Sequence, residues 1–497
     1  MTRRLLLPLL AATCLPAPLF AQDKRPNILF IMADDHTQQA LGAYKSWLGK
    51  YAKTPNLDRL AKRGMLFKNA LVTNSICTPS RAAILTGLYS HKNGVYTLAD
   101  PIDPMRRHLA HLFHDAGYLT ALFGKWHLHT DPAGFDHWII FPGQGRYYDP
   151  ILYTKDDKKG KGKMRGQIHK GYSTDVVTDF CLDWLKTRDK TKPFLAFCHF
   201  KAPHRPWDPA PRFKDLFKDE KIPEPDNLLD DYKDRAKVIA ECRARVGQDF
   251  NKNDVGGIAI PKDLSTEDLR RWAYQVYMKR YLACVAAVDE NVGRLLDFLE
   301  REGLLDNTII IYTSDQGFFL GEHGWFDKRL IYEECLTTPL IVAAPGKTRP
   351  GSVCEDMVLN IDHAPTLLDL AGIKTKEAFD GKSYASILEG KTPPDWRKSM
   401  YYRYWMNLDG DHNIPAHYGV RTDRYTLVYY YVKALGMKGA REKDVTPEWE
   451  LFDRKKDPKM MRNVYAEAEY QPVVRELKAE LERLRRELKD ESAGWTK

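Results

Sequence analysis

Four apolar runs that end abruptly in charged residues constrain this chain most. Asn27-Ile28-Leu29-Phe30-Ile31-Met32-Ala33 runs into Asp34-Asp35-His36, and Leu119-Thr120-Ala121-Leu122-Phe123 into Gly124-Lys125-Trp126-His127. Pro193 to Phe200 runs into Lys201-Ala202-Pro203-His204, and Thr308 to Ser314 into Asp315-Gln316-Gly317; Pro339 to Ala344 is a fifth run. Short continuous apolar stretches of this kind read as strands buried on both faces. Helical stretches lie between them, the clearest from Leu269 to Glu302, where apolar residues recur at helical spacing. Strand alternating with helix predicts an α/β fold, a mostly parallel central sheet flanked by helices. In such sheets ligands bind beyond the carboxyl ends of the strands, which is where the charged residues fall.

A lone Asp or Lys after a strand is usually a loop residue or a helix cap. Their joint occurrence carries the argument here. Asp34, Asp35, Asp315 and Gln316 offer hard oxygen ligands, three of them anionic, which suit calcium or magnesium better than zinc. Without a cation, three carboxylates in one crevice repel and tend to take up protons. Lys125, His127, Lys201, His204 and Lys328 add positive charge and proton donors, a combination fitted to a transferring sulfuryl or phosphoryl group. His36 reads as a cap of its own loop, not a ligand. Cys77, before an apparent helix from Arg81 to Leu88, is the candidate nucleophile, because a helix start favours an anion. Burial as a plain thiol, a disulfide half and a metal ligand remain open for it.

The chain has 497 residues, 43% of them hydrophobic and 11% aromatic, enough for one large domain and a smaller one. Its formal charge of +9 arises from 76 basic and 67 acidic residues, a mild excess that permits an anionic partner without requiring one. Residues 1–21, with Arg3-Arg4, an apolar run and Leu19-Phe20-Ala21, fit a signal peptide, so the mature protein is expected to be exported, periplasmic or extracellular. A lipid anchor on Cys14 fits less well, and no segment reads as transmembrane. Cys181, Cys198, Cys242, Cys284, Cys335 and Cys354 are spaced too irregularly for a stapled scaffold; most read as buried free thiols, with room for one bridge. Lys155 to Lys163 is a basic stretch that reads as a solvated loop. Nothing resembles a nucleic-acid module, and no internal repeats occur.

Cys77-Thr78-Pro79-Ser80-Arg81, continued as Ala82-Ala83-Ile84-Leu85-Thr86-Gly87, resembles the signature of the type I sulfatases. In that family the cysteine is oxidised after synthesis to Cα-formylglycine. Asp34-Asp35, Gly124-Lys125-Trp126-His127, Pro203-His204, Ser314-Asp315-Gln316-Gly317 and Gly321-Glu322-His323-Gly324 follow in the family's order, so that the likeness covers Pro26 to Gly372. It implies an alkaline-phosphatase-like fold, a catalytic domain over residues 22–375, and a smaller C-terminal α+β domain with an antiparallel sheet over residues 376–497. It also implies calcium bound by Asp34, Asp35, Asp315 and Gln316, and a formylglycine-generating maturation enzyme that reads Pro79 and Arg81. Arg81 would hold the modified residue, Lys125 and Lys328 the sulfate, His127 would serve as base and His204 as acid. Many relatives carry asparagine where this chain has Gln316, which lengthens the arm of the fourth ligand.

Phe141 to Pro150, Lys201 to Trp207 and Ala416 to Asp423 look most like bacterial N-acetylglucosamine-6-sulfatases, which implies a sulfated glycan or sugar as substrate. Met400 to Trp405 and Tyr425 to Val432 read as antiparallel strands, and Pro472 to Lys489 as a closing amphipathic helix. Lys201, His412, His417 and Arg421 are candidates to hold the sugar. Tyr402 or Trp405 could stack on its ring, although a place in the core of the small domain is the stronger reading for these aromatics. Iduronate or galactose sulfatases, and phosphate or phosphonate monoester hydrolases of the same superfamily, remain alternatives. A silent glycan-binding protein would be marked by loss of Cys77, Arg81 or a metal carboxylate, and all are present.

Overall fold

The computed structural model describes residues 25–157, 165–490 and 492–494. The segment expected to be a signal, Cys14 and most of the basic stretch Lys155 to Lys163 lie outside them. The largest sheet has eight strands in the spatial order Ser352–Cys354, Met65–Phe67, Leu340–Ala343, Thr308–Ser314, Asn27–Ala33, Phe194–His199, Leu119–Gly124 and His137–Ile140. All neighbours pair parallel except Leu340–Ala343, which runs against both of its partners. The expected mostly parallel sheet is therefore present, and the five apolar runs are five of its strands. Asn27–Ala33 lies at the centre with every residue buried, which is why its sequence does not alternate.

Helices cover both faces. Thr266–Arg301, begun by the Ser265 side chain accepting from Asp268 N–H, packs with Ser173–Thr187 and Pro55–Arg63 on one core layer. Cys77–Thr86, Leu109–Asp115 and His363–Leu370 pack in the layer on the opposite face. The Cys77–Thr86 helix begins at the cysteine itself, four residues before the expected start, and ends at Gly87, whose φ of 66° suits a residue without Cβ.

A separate four-stranded antiparallel sheet, Ser399–Tyr404, His417–Thr422, Tyr425–Tyr430 and Glu448–Asp453, is closed by the Gln471–Leu488 helix. Gly419 permits the close pairing of its two central strands, since a Cβ there would lie 2.3 Å from Leu427 O. The seven described cysteines are all buried free thiols, so the bridge for which the spacing left room is absent among them.

Candidate active site

The sheet's two central strands deliver the carboxylates. Asn27–Ala33 and Thr308–Ser314 pair in register up to Ala33 and Ser314, so Asp34-Asp35 and Asp315-Gln316 leave them side by side. Oxygens of Asp34, Asp35 and Asp315 come within 4.8 Å of one another. Asp35 takes a φ of 66°, a left-handed conformation that costs a residue with a Cβ. Neighbours hold it there: its N–H donates to Asp315 Oδ1 at 3.3 Å, and the Tyr281 hydroxyl donates to its carbonyl at 2.8 Å.

Three cations face the three acids. Lys328 Nζ lies 2.8 Å from both oxygens of Asp35, and Lys125 Nζ donates to Asp34 Oδ2. Arg81 Nε donates to Asp315 Oδ2 at 2.9 Å and Nη1 to Lys125 O at 2.6 Å. The Cys77 thiol sits between these groups, 3.6 Å from Asp34 Oδ1. His204 belongs to the same cluster: its Nε2 is 3.7 Å from Asp35 Oδ2, while its Nδ1 lies 2.6 Å from the Arg205 carbonyl.

Burial drives every ionisation in this crevice away from the charged form unless a partner opposes it. It raises Asp35 and Asp315, which also repel Asp34, and their cations do not fully offset this. Asp34 ends well below the usual range because Lys125, His204, Arg81 and Lys328 together outweigh its burial. Burial also pushes the Cys77 thiol up to about 12, so the helix start does not make a thiolate of it, and the activation expected from the dipole is overridden. His127 and His204 are lowered, by burial first and by nearby cations next, although Asp34 pulls each of them the other way.

The donor set suits a hard divalent cation. Gln316 Oε1 is buried without a hydrogen-bond partner, while its amide nitrogen is held 2.5 Å from Asp35 Oδ1. An orphaned amide oxygen beside three clustered carboxylates is what calcium or magnesium takes up, and such an ion would offset the burial and mutual repulsion that raise Asp35 and Asp315. Two further buried atoms lack hydrogen-bond partners among the described residues, His127 Nδ1 and Arg81 Nη2, the latter 3.7 Å from Asp34 Oδ1. Strained left-handed backbone recurs at His127, Asp327 and Arg329, so Lys328 is flanked on both sides by such residues.

His36 is not part of the set; its ring meets Tyr312 OH and Ala40 O, in keeping with the capping role. Lys201 is buried beside the site, 5.2 Å over the Tyr147 ring, and burial together with Lys125 lowers it to about 8. His412 lines an open cavity of about 560 Å³, where its Nε2 is 3.5 Å from Asp327 Oδ2. The expectation for His417 and Arg421 is not met. His417 is 0% exposed, ringed by Tyr402, Tyr404 and Tyr430, and Arg421 is buried in an ion pair with Glu333 at 2.9 Å. Packing of the small sheet covers both residues, although His417 Nε2 and Arg421 Nη1 make no hydrogen bond among the described residues. Tyr402 and Trp405 are core residues too, as the stronger reading had it.

Sequence reasoning missed three residues. Gln144 accepts from Lys125 Nζ at 2.5 Å and lies on a loop with no periodicity to mark it. Asp327 and Arg329 flank Lys328 and pair with each other at 3.3 Å; their adjacency to Lys328 was the available signal. Tyr402 also links the two walls of the crevice, accepting from Ser75 N–H at 3.2 Å and donating to Arg329 O.

The Sulfatase family model matches residues 26–373, and the model described as N-sulphoglucosamine sulphohydrolase, C-terminal, matches residues 321–487. A curated N-acetylglucosamine-6-O-sulfatase of Bacteroides thetaiotaomicron is 42% identical over 533 aligned residues, covering 98% of this chain and 91% of its own. A solved structure in complex with its substrate D-glucosamine-2-N,6-O-disulfate matches with a TM-score of 0.86 and 41% identity, covering 94% of this chain and 99% of that one. A phosphonate monoester hydrolase of Agrobacterium radiobacter matches with a TM-score of 0.74 at 23% identity, over 93% of this chain and 96% of that one, a likeness of fold. With the strand-end carboxylates and the Cys77 helix both inside the matched span, the chain belongs to the sulfatase family, sulfuric ester hydrolases of alkaline-phosphatase-like fold.

Proposed function

We propose that this protein is an exported, calcium-dependent carbohydrate sulfatase that removes the 6-O-sulfate from terminal N-acetylglucosamine of mucin-type or heparan-type glycans. The observation that carries the reading is Cys77 at the start of its helix, enclosed by Asp34, Lys125, Lys328 and His204. The substrate reading is supported by the 42% identity to an N-acetylglucosamine-6-O-sulfatase over nearly the whole chain. Residues 22–375 form the catalytic unit in this reading and residues 376–497 the smaller domain.

Asp34, Asp35, Asp315 and Gln316 would hold the calcium ion, which would supply charge neutralisation and Lewis acidity. Oxidised by a maturation enzyme, Cys77 would supply a hydrated aldehyde, whose two hydroxyls would offer one oxygen as nucleophile toward sulfur and a second O–H whose loss of a proton would release sulfate. Arg81, whose Nη2 makes no hydrogen bond and lies 3.7 Å from Asp34 Oδ1, would hold that residue. Lys125 and Lys328 bind the sulfate oxygens, and their existing carboxylate pairs keep both in place. His127, buried and held neutral, takes a proton. His204 donates its Nδ1–H to the Arg205 carbonyl, which aims Nε2 at the crevice. Entry of the anionic ester favours its charged form, and Nε2 then gives a proton to the leaving sugar oxygen.

The test is sulfate release from a panel of mono-sulfated sugars by protein whose Cys77 conversion has been verified by peptide mass, with a phosphate ester as control. Selective release from N-acetylglucosamine 6-sulfate is expected. Release from iduronate or galactose sulfates instead would discard the substrate, and turnover of phosphate alone would discard the chemistry.

A further inference from the structure

The wall of the cavity of about 560 Å³ that His412 lines includes none of the residues assigned to the desulfation chemistry. Its wall includes Arg205, the residue after His204, and Phe326, two residues before Lys328, so it lies close along the chain to both. Its size falls within the roughly 300–1,000 Å³ of small-molecule sites.

Most charges around it are already satisfied. Arg205 is fixed by Asp254 through two bonds of 3.0 and 2.6 Å, and His412 lies between Asp409 at 2.8 Å and Asp327 at 3.5 Å. Asp249 accepts from Arg245 N–H at 2.7 Å. Arg243 differs. It lines the cavity, is exposed, and among the described residues its guanidinium has no carboxylate partner, only a long contact from Nη1 to Gly410 O at 3.4 Å.

The backbone that carries Arg243 is nonetheless anchored. Its own N–H donates to His412 O at 2.7 Å, and the following residues are laced to the strand that leads to Lys328, through Phe326 N–H to Ala244 O at 2.8 Å and Val246 N–H to Gly324 O at 2.9 Å. An unpaired guanidinium on a fixed backbone at the edge of a polar cavity is suited to a carboxylate or sulfate. Asn251 and Asn253 supply neutral polar groups along the same wall, while the Asp411 carboxylate there leaves Arg243 as the group able to attract an anion.

We infer that this cavity is a subsite for an acidic glycan and that Arg243 reads a second anionic substituent, distinct from the sulfate being removed. The inference rests on the carbohydrate sulfatase reading above. The second anion is a sulfate elsewhere on the same sugar or the carboxylate of a neighbouring uronic acid, and Arg243 serves either through the same paired hydrogen bonds.

The experiment compares Arg243→Ala with the parent in two arms. In the converted enzyme, kcat/KM is measured for N-acetylglucosamine 6-sulfate, for N-sulfated glucosamine 6-sulfate and for a disaccharide that joins a uronic acid to 6-sulfated N-acetylglucosamine. In the Cys77→Ser background, calorimetric Kd values are measured for the same three compounds. A threefold or larger fall in preference for a doubly anionic compound over N-acetylglucosamine 6-sulfate, arising in KM and in Kd, is expected. The compound that loses preference identifies the anion. Preference that moves less than threefold for both compounds overturns the inference, as does a loss confined to kcat. If the parent releases sulfate from none of the three, the proposed function fails by itself, and the binding arm still decides the role of Arg243.

Discussion

Cys77 is 1% exposed with its thiol pushed up to about 12, so the unmodified sulfur is protonated at neutral pH and a poor nucleophile. Cys77→Ala should therefore reduce turnover to background while the thermal midpoint stays within a few degrees of the parent; appreciable residual turnover would remove the residue from the chemistry. For His204 the informative variable is the leaving group. A sugar alkoxide needs a proton and an activated aryl oxide does not, so His204→Ala should lower kcat/KM for sugar sulfates by about 100-fold or more and for nitrophenyl sulfate far less. Equal losses in steady-state assays would contradict its role as acid. At this scale the sequence was informative wherever chemistry is concentrated at a strand end, as at Asp34, Asp35, Lys125 and Asp315. It was silent on Gln144, which meets Lys125 from 19 positions away across an irregular loop. It misled at His417, because residue type does not reveal whether a neighbouring strand covers the ring.

Among the elements, the long strands were legible because burial on both faces leaves an uninterrupted apolar run, as in Asn27–Ala33. Met65–Phe67 and Ser352–Cys354 were not, since three residues carry no period. The link after Thr308–Ser314 shows how tightly an element fixes Gln316, the proposed fourth ligand. A Cβ at Gly317 would lie 2.1 Å from Glu334 O and 2.6 Å from Thr337 O, both backbone atoms with little freedom to yield. Gly317→Ala should therefore displace Gln316, immediately before it, and raise the calcium concentration for half-maximal activity about tenfold or more. A calcium titration that superimposes on the parent's would show that Gln316 is no ligand. The Tyr402 bridge works at the same scale, because one hydroxyl from the antiparallel sheet ties the segment before Cys77 to the turn after Lys328.

Across the whole molecule, buried histidines make stability sensitive to acid. His363 lies in the core against Phe30 and Tyr384, and burial lowers it from 6.5 to about 3. Between those values the unfolded chain binds a proton that the folded chain does not, so this residue's contribution falls as pH falls below 6.5. In urea unfolding, the stability difference between parent and His363→Asn should narrow by about 1.4 kcal/mol per pH unit from pH 6.5 downward. A gap independent of pH would mean that His363 takes up no proton on unfolding. The folded state also decides when Cys77 can be reached. Cys77, Thr78, Pro79, Ser80 and Arg81 are all buried, so no second protein can grip them once sheet and helix have closed. Under the proposed function, conversion of the cysteine would then have to precede closure, the active fraction of any preparation would record a race between folding and oxidation, and a chain that folded first would stay inert until it unfolded.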